Sequence, residues 1–391
     1  MIYIDNSKTQ QKHKLNYVTG SGSSYDEEIS ANNPSTSVRS AATKIPVLPR
    51  DHRHPIKAKQ LARAITNATP IFPEDAETIA NEVVKVVQWS KLPGNRRLCI
   101  EGEIKFKRDD HNLNFSYVIS GSTVYVHLKE NEIRGGFKIV CDALMIHLPS
   151  NQVQEIVHKK IRPHKTIHNV DCCAIAKAEA EAQARLRHPS IPKVHEVCTY
   201  TKNFQPRTSI YEKKCEETGE KLLQKNLLSF NQKTTFFYDI ARAVAHLHRQ
   251  GLCHNDLKLN NTMIAEGKGQ LIDYGVMTKE GEIPLLSHQE IMAPERKASP
   301  AIPVSSETDV FQFGLMLALA FAPADTGMSN LIGKEDIIRG HFALDIKCAL
   351  SKWIPSNASD NELKTLIDRC SSDHPEARPP MVEIASILAK F

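Results

Sequence analysis

Long apolar runs are missing from this sequence. The longest, Phe313 to Ala322, is about half of what a bilayer crossing needs, so no membrane span is expected. Met1 to Ile4 meets Asp5 before a signal-peptide core can form, which predicts a soluble chain without a cleaved secretory signal. Cysteine pairs at metal-site spacing are missing too. Cys99, Cys141, Cys172, Cys173, Cys198, Cys215, Cys253, Cys348 and Cys370 are odd in number and show no C-x-x-C. They read as thiols of a reducing, cytoplasmic compartment. Charge of one sign is equally short: 50 Lys and Arg against 45 Asp and Glu leave +5, evenly spread. That balance gives no case for nucleic acid or an anionic membrane as partner. No internal repeat is found.

What is present suffices for a large core. The 391 residues are 41% hydrophobic, enough for two or three units. Residues 1–55 form a polar arm rich in Ser, Thr, Asn, Gln, Lys and Gly, which buries too little apolar area to offset chain entropy and is expected to be disordered. In 56–130 a helical part precedes a β part. Leu61, Ala62 and Ile65, then Ile79, Val83 and Val87, recur at helical spacing around a Pro70–Pro73 break, predicting two helices. Alternating apolar positions in Cys99 to Phe106, Phe115 to Ile119 and Val124 to Leu128 predict strands, with a turn at Ser120–Ser122. Strand texture runs on from Ile133 to Ile161, broken by a turn at Pro149-Ser150-Asn151. Beyond Val170, helical segments alternate with short apolar runs.

Chemistry concentrates in His254-Asn255-Asp256-Leu257-Lys258-Leu259-Asn260-Asn261 and, shortly after, Leu271-Ile272-Asp273-Tyr274-Gly275. Phosphoryl transfer from ATP needs an acceptor for the hydroxyl proton, oxygen ligands for magnesium and a cation near the moving group. These segments resemble the catalytic loop H-R-D-x-K-x-x-N and the D-F-G of eukaryotic-type protein kinases, with Tyr274 in place of the usual Phe. The resemblance implies Asp256 as catalytic base, Lys258 beside the γ-phosphate, as in serine/threonine kinases, and Asn261 and Asp273 as ligands of Mg2+ (or Mn2+). Downstream, Ala293-Pro294-Glu295, Asp309-Val310-Phe311-Gln312-Phe313-Gly314 and Arg378 resemble A-P-E, D-x-W-x-x-G and the late kinase arginine. In the family Glu295 and Arg378 pair, and Asp309 anchors the catalytic loop.

Upstream, Glu155 to Arg162 resembles the strand carrying V-A-I-K, with Lys159 as the phosphate-binding lysine; a one-residue slip would substitute Lys160. The Ala-rich stretch from Glu179 to the His188-Pro189 turn resembles the αC helix, so Glu179 is expected to pair with Lys159, with Glu181 as alternative. Ile133 to Val140 keeps one glycine of G-x-G-x-x-G. Gly135 and Gly136 are read as a phosphate cradle, or else as an ordinary hairpin turn. Ser209 to Lys213 resembles the hinge strand: Tyr211 as gatekeeper, backbone groups of Glu212 and Lys214 on adenine, Val140 and Val157 as its ceiling. A plain buried strand fits the same residues.

The implied architecture is α+β, a bilobal kinase-like fold with a β-rich small lobe of about 131–212, a helical large lobe of about 213–391 and an N-terminal extension. The implied activity is ATP-dependent transfer to serine or threonine hydroxyls of protein substrates, with room for an activating partner. Asn255 replaces the arginine that normally receives a phosphorylated activation loop, so control by loop phosphorylation is not expected. That Asn, the degenerate glycine loop, the short activation segment and the polar arm resemble secreted effector kinases of bacterial pathogens, which implies host proteins as targets and the host cytosol as workplace. Two alternatives stand: a choline- or aminoglycoside-type small-molecule kinase, and a pseudokinase scaffold.

Overall fold

Alternation of apolar side chains between residues 115 and 161 decides the architecture of the first half. The computed structural model describes residues 57–90, 100–108, 111–134, 138–148, 150–161, 166–167, 170–202, 205–284, 288–334 and 341–391. The arm 1–55 and the Gly135-Gly136 pair lie outside these. Two helices open the described chain, α1 (Ala58–Ala68) and α2 (Pro73–Ser90). Five antiparallel strands follow: β1 (Ile100–Arg108), β2 (His111–Ser120), β3 (Thr123–Arg134), β4 (Lys138–His147) and β5 (Gln152–Ile161). At the β2–β3 turn Gly121 takes φ +57, a conformation that costs a residue without Cβ little. The short strands β6 (Thr166–Ile167) and β7 (Val170–Asp171) lead into α3 (Cys172–Arg185), the Ala-rich helix, and then β8 (Val194–Lys202) and β9 (Gln205–Lys213).

The large sheet has the order β1-β2-β3-β4-β5-β9-β8. The strands of 100–134 are thus continuous with the small-lobe sheet, and a domain boundary near 130 would fall inside β3. Period-two alternation gives the sheet two different faces. On one, Leu61 and Ile65 of α1 and Ala76, Ile79, Ala80 and Val83 of α2 pack against Phe115, Ile119, Val124, Val126, Leu144 and Ile146. On the other, Val118, Tyr125, Ala143, Ile156, Cys198, Tyr200 and Tyr211 share one cluster. Residues from β2 and β8 can meet there only because the sheet curls, bringing β1 back towards β8.

The inside of that curl is polar as well as apolar. His127 bonds Ser116 through Nδ1 at 2.9 Å and the Tyr211 hydroxyl through Nε2 at 2.8 Å. His158 stacks on His127 with ring centroids 3.8 Å apart, and its Nε2 shares a hydrogen bond with the Ser209 hydroxyl at 2.8 Å. Burial, aided by the charge of Lys160, pushes the His158 imidazole down from 6.5 to about 3. Below pH 6.5 the unfolded chain therefore takes up a proton that the folded chain refuses, and stability falls as pH falls towards 3. At about 1.4 kcal/mol per pH unit, roughly 2 kcal/mol is lost between pH 6.5 and 5. Urea unfolding across this range checks it: His158→Gln is expected to reduce the pH slope by about that amount per unit, and an unchanged slope would contradict it.

The large lobe begins after β9 with β10 (Glu217–Thr218), α4 (Gly219–Gln224) and α5 (Phe230–His248), whose start carries a reciprocal Ser229–Gln232 capping box. The short strands β11 (Leu252–Cys253), β12 (Thr262–Ala265), β13 (Lys268–Leu271) and β14 (Thr278–Lys279) frame two loops. The helices α6 (Pro294–Ala298), α7 (Ser306–Phe321), α8 (Phe342–Leu350), α9 (Ala358–Cys370) and α10 (Met381–Leu388) complete it. α7 is buried along nearly its whole length, and Gly314 lets α9 approach so closely that a Cβ would lie 2.8 Å from that of Cys370. The described chain is α+β, a curled sheet with the helix α3 followed by a helical lobe, the bilobal arrangement that the sequence predicts. No described helix is long and apolar enough to cross a membrane.

Candidate active site

The loop joining β11 to β12 carries three of the expected residues, and α7 holds its shape. Asp309, wholly buried in the first turn of α7, accepts the backbone N–H groups of His254 at 2.7 Å and Asn255 at 2.8 Å. His248 adds a contact to the same carboxylate at 2.9 Å. One turn along α7, Gln312 accepts from the Leu257 N–H at 2.9 Å and donates to the Asn255 carbonyl at 3.0 Å. Sequence reasoning gave Gln312 no role, although its i+3 spacing from Asp309 puts both on one helix face.

With the loop fixed, Asp256, Lys258 and Asn261 converge. The Asn261 amide donates to the Asp256 carbonyl at 2.8 Å and to Asp256 Oδ2 at 2.7 Å. Lys258 Nζ stands 3.1 Å from the same Oδ2. Asp256 Oδ1 is buried and has no hydrogen-bond partner, an arrangement that costs free energy unless something else supplies a proton.

Asn255 explains itself once its conformation is known. It sits at φ +66, a left-handed region that asparagine tolerates better than most residues. Its amide donates to the carbonyls of Cys253 at 3.2 Å and Val276 at 3.1 Å. The catalytic loop is thereby tied to the chain just beyond Asp273-Tyr274-Gly275. Pairing of β11 with β14, Leu252 opposite Lys279 and Cys253 opposite Thr278, ties it again. Tyr274 is buried, and its hydroxyl finds the Leu271 carbonyl at 2.7 Å, which is how the larger ring fits where Phe is usual.

Asp273 also has a positive φ, +63, the kind of backbone strain that gathers at functional sites. Its Oδ1 lies 3.4 Å from the Lys138 ammonium and 3.4 Å from the Gly275 N–H. Gly275 leaves the room: a Cβ there would stand 3.3 Å from Asp273 Oδ1 and 3.4 Å from Glu179 Oε2. Lys138 donates to both oxygens of Glu179, at 2.9 and 2.8 Å. Burial works against every charge in this cluster. For Lys138 the carboxylates of Asp273 and Glu179 outweigh it and hold the ammonium above the usual lysine range. For Asp273, Lys138, Lys159 and His254 outweigh it and hold the carboxyl below the usual range.

Here the structure corrects two expectations. The partner of Glu179 is Lys138 of β4, not Lys159 of β5; Lys159 pairs with Glu212 of β9 at 2.7 Å. Neither the slip to Lys160 nor the alternative Glu181 describes what forms; Glu181 lies 3.9 Å from Lys177. Tyr211 does not face the cleft as a gatekeeper would. Register puts Tyr211 opposite His158 and Glu212 opposite Val157, so Tyr211 turns into the curl, stacked on Tyr125 at 3.9 Å, while Glu212 takes the cleft side. The cause is the polar interior, where the phenol has a hydrogen-bond partner in His127.

The remaining expected residues are placed as follows. Val140 pairs across strands with Lys159, and Val157 with Glu212, so both valines share the cleft-side face. The Lys214 side chain reaches Asp142 at 3.1 Å and Glu155 at 3.6 Å. Gly135 and Gly136 lie outside the described residues. Among the described residues no three His, Cys, Asp or Glu side chains gather as a metal centre. The fit for a hard divalent cation is instead one carboxylate and one amide oxygen: Asp273, whose side chain is 49% exposed to the cleft, and Asn261, whose Nδ2 is used by Asp256.

Elsewhere in the large lobe Arg378 forms a bidentate pair with Glu295, both bonds at 2.8 Å. The pairing expected from the two motifs is therefore present.

Comparison with known proteins agrees with this geometry. The model of the protein kinase domain matches residues 140–387. The chain is 27% identical over 242 residues to the interferon-induced, double-stranded RNA-activated protein kinase of Rattus norvegicus, covering 55% of this chain and 44% of that protein. It is 25% identical over 209 residues to a probable serine/threonine-protein kinase of Clostridium acetobutylicum, covering 50% and 31%. A serine/threonine/tyrosine-protein kinase of Arabidopsis thaliana is 28% identical over 234 residues, covering 55% and 54%. The chain spans less than half the length of the rat and clostridial relatives. With the matched residues making up most of the chain and the catalytic-loop geometry in place, this protein belongs to the protein kinase domain family.

Proposed function

We propose that the chain transfers the γ-phosphate of ATP to serine or threonine hydroxyls of protein substrates. The observation that carries the proposal is Asp256, with one carboxylate oxygen pinned by Asn261 and Lys258 and the other buried without a partner. A substrate hydroxyl placed against Oδ1 would satisfy that oxygen and give up its proton there as the O–P bond forms. Lys258, held by Asp256, puts a positive charge beside the path of the phosphoryl group and supports hydroxyl donors of the serine/threonine type. Asp273 and Asn261 would hold a divalent cation, Mg2+ or Mn2+, which when bound neutralises charge on the phosphates. Val140 and Val157 supply an apolar surface for the adenine.

The buried Glu295–Arg378 pair favours a protein acceptor over choline or an aminoglycoside, since these motifs belong to the peptide-binding lobe of protein kinases. Incubation with radiolabelled ATP, a panel of protein acceptors and those small molecules tests this. Label on phosphoserine or phosphothreonine is expected. Label confined to small molecules would favour the small-molecule reading, and label confined to tyrosine would remove the Lys258 argument. No label at all would favour the scaffold.

Control by activation-loop phosphorylation is not part of the proposal. Asn255 brings no cation, and its amide already joins the catalytic loop to Val276 without a phosphate. Further hydrogen bonds hold the segment: Glu280 N–H to the Gly251 carbonyl, and Gly281 N–H to the Val304 carbonyl. Equal rates before and after phosphatase treatment are expected, and a large drop on treatment would contradict this. Delivery into a host cell as an effector rests on sequence features alone, Asn255 and the polar arm among them. Phosphoproteomics of eukaryotic cells expressing wild type or Asp256→Ala would show whether host proteins are substrates.

A further inference from the structure

Two lysines approach the same cleft, and the structure gives them different partners. We infer that Lys138, which stands just before the family-matched residues 140–387, is the lysine that grips the nucleotide phosphates, and that Lys159 is committed to Glu212. The inference rests on the kinase reading of the site and deepens it.

Position is the first argument. A lysine that steadies phosphates must sit beside the carboxylate proposed to hold the cation. Lys138 Nζ lies 3.4 Å from Asp273 Oδ1 and is anchored from behind by both oxygens of Glu179. Its ammonium has three N–H donors. Glu179 takes two at 2.9 and 2.8 Å, and the contact to Asp273 is the longer one at 3.4 Å.

Strand register is the second. Lys138 sits opposite Ile161, and Lys159 opposite Val140 and Ile210, so both lysines leave the same face of the sheet as diagonal neighbours, and their partners tell them apart. Lys159 ends at Glu212, beside Val157, on the side where the valines offer the base an apolar surface.

Energetics is the third. The Lys159 and Glu212 side chains are only 15% and 6% exposed. Drawing Lys159 away to a phosphate would strand a buried carboxylate, which is strongly unfavourable. Lys138 makes no such sacrifice, because Glu179 stays paired throughout. The Lys159–Glu212 pair then belongs to the wall around the base.

An acyl-phosphate derivative of ATP tests this on the unmodified full chain. The amine nearest the terminal phosphate attacks the acyl carbon; an amide bond to lysine forms, the acyl–phosphate bond breaks, and ATP leaves while the amine proton passes to water. Mass spectrometry of the digest is expected to find the acyl group on Lys138. Its presence on Lys159 would overturn the inference and leave the kinase reading intact. Labelling of neither would overturn the inference together with nucleotide binding at this site. Variants give a second reading, provided circular dichroism shows them folded: Lys138→Met is expected to lose about 100-fold in kcat/KM for ATP, and Lys159→Met less than about ten-fold. Equal losses, or the reverse order, would refute the division of roles.

Discussion

An Asp256→Asn variant is expected to keep its fold and its nucleotide binding and to lose about 100- to 10,000-fold in phosphoryl transfer. The substitution is nearly isosteric, and what holds the loop is not the Asp256 side chain. Asp309 and Gln312 bind the backbone of His254, Asn255 and Leu257, and Asn261 still has the Asp256 carbonyl as acceptor at 2.8 Å. What disappears is the negative charge, and with it the basic oxygen that would take the hydroxyl proton. Lys258 also loses its counter-ion, so the cation beside the phosphoryl path is less firmly placed. Initial rates with labelled ATP, set beside nucleotide titration of the same sample, separate chemistry from binding. A variant within about ten-fold of wild type would remove Asp256 from the role of base, because general-base catalysis contributes more than that.

The parts of this site that could be read from sequence are those whose geometry is local or fixed by one helix. Asp256, Lys258 and Asn261 lie within six consecutive positions, and a loop of that length brings them together once its backbone is held. Asp309 and the Glu295–Arg378 pair were legible for a related reason: each belongs to a short string whose order along the chain is informative even though its partners are remote. The α1–α2 helices and the strands after residue 115 followed from periodicity, since each buries a regularly spaced set of apolar residues.

The parts that could not be read depend on which way a strand faces. Ser209, Ile210, Tyr211 and Glu212 alternate without a clear apolar side, so nothing local says whether Tyr211 or Glu212 looks into the cleft. The answer lies in His127, 84 positions earlier, which bonds the Tyr211 hydroxyl inside the curl. A one-residue difference in register exchanges the two faces completely. The lysine exchange has the same origin. Lys138 and Lys159 stand on neighbouring antiparallel strands and leave the same face, so both are in reach of a carboxylate on α3. The choice is made by Glu212, which captures Lys159 at 2.7 Å and leaves Glu179 to Lys138. A motif aligned on one strand cannot register a competitor on another.

Arg378→Ala is expected to cost about 3–5 kcal/mol of folding free energy, the range for removing one member of a buried ion pair. The guanidinium is wholly buried and meets four acceptors: both oxygens of Glu295, the Ser372 carbonyl and the Glu307 carbonyl, all within 2.9 Å. It also lies over the Phe311 ring, 5.1 Å from its centre. Through these contacts one side chain joins α6, the start of α7 and the loop before α10. Alanine leaves the Glu295 carboxylate, with its side chain 18% exposed, facing a cavity without its cation. A loss of this size is a large share of the about 5–15 kcal/mol that typically holds a domain together, so a marked fall in the urea midpoint is the measurable result. Removing both charges with Arg378→Met and Glu295→Leu is expected to cost less than Arg378→Ala alone, since no ion is then left unpaired. A single-variant cost near 1 kcal/mol or below would be the signature of a solvated surface pair, and the contact would then be no anchor of the large lobe.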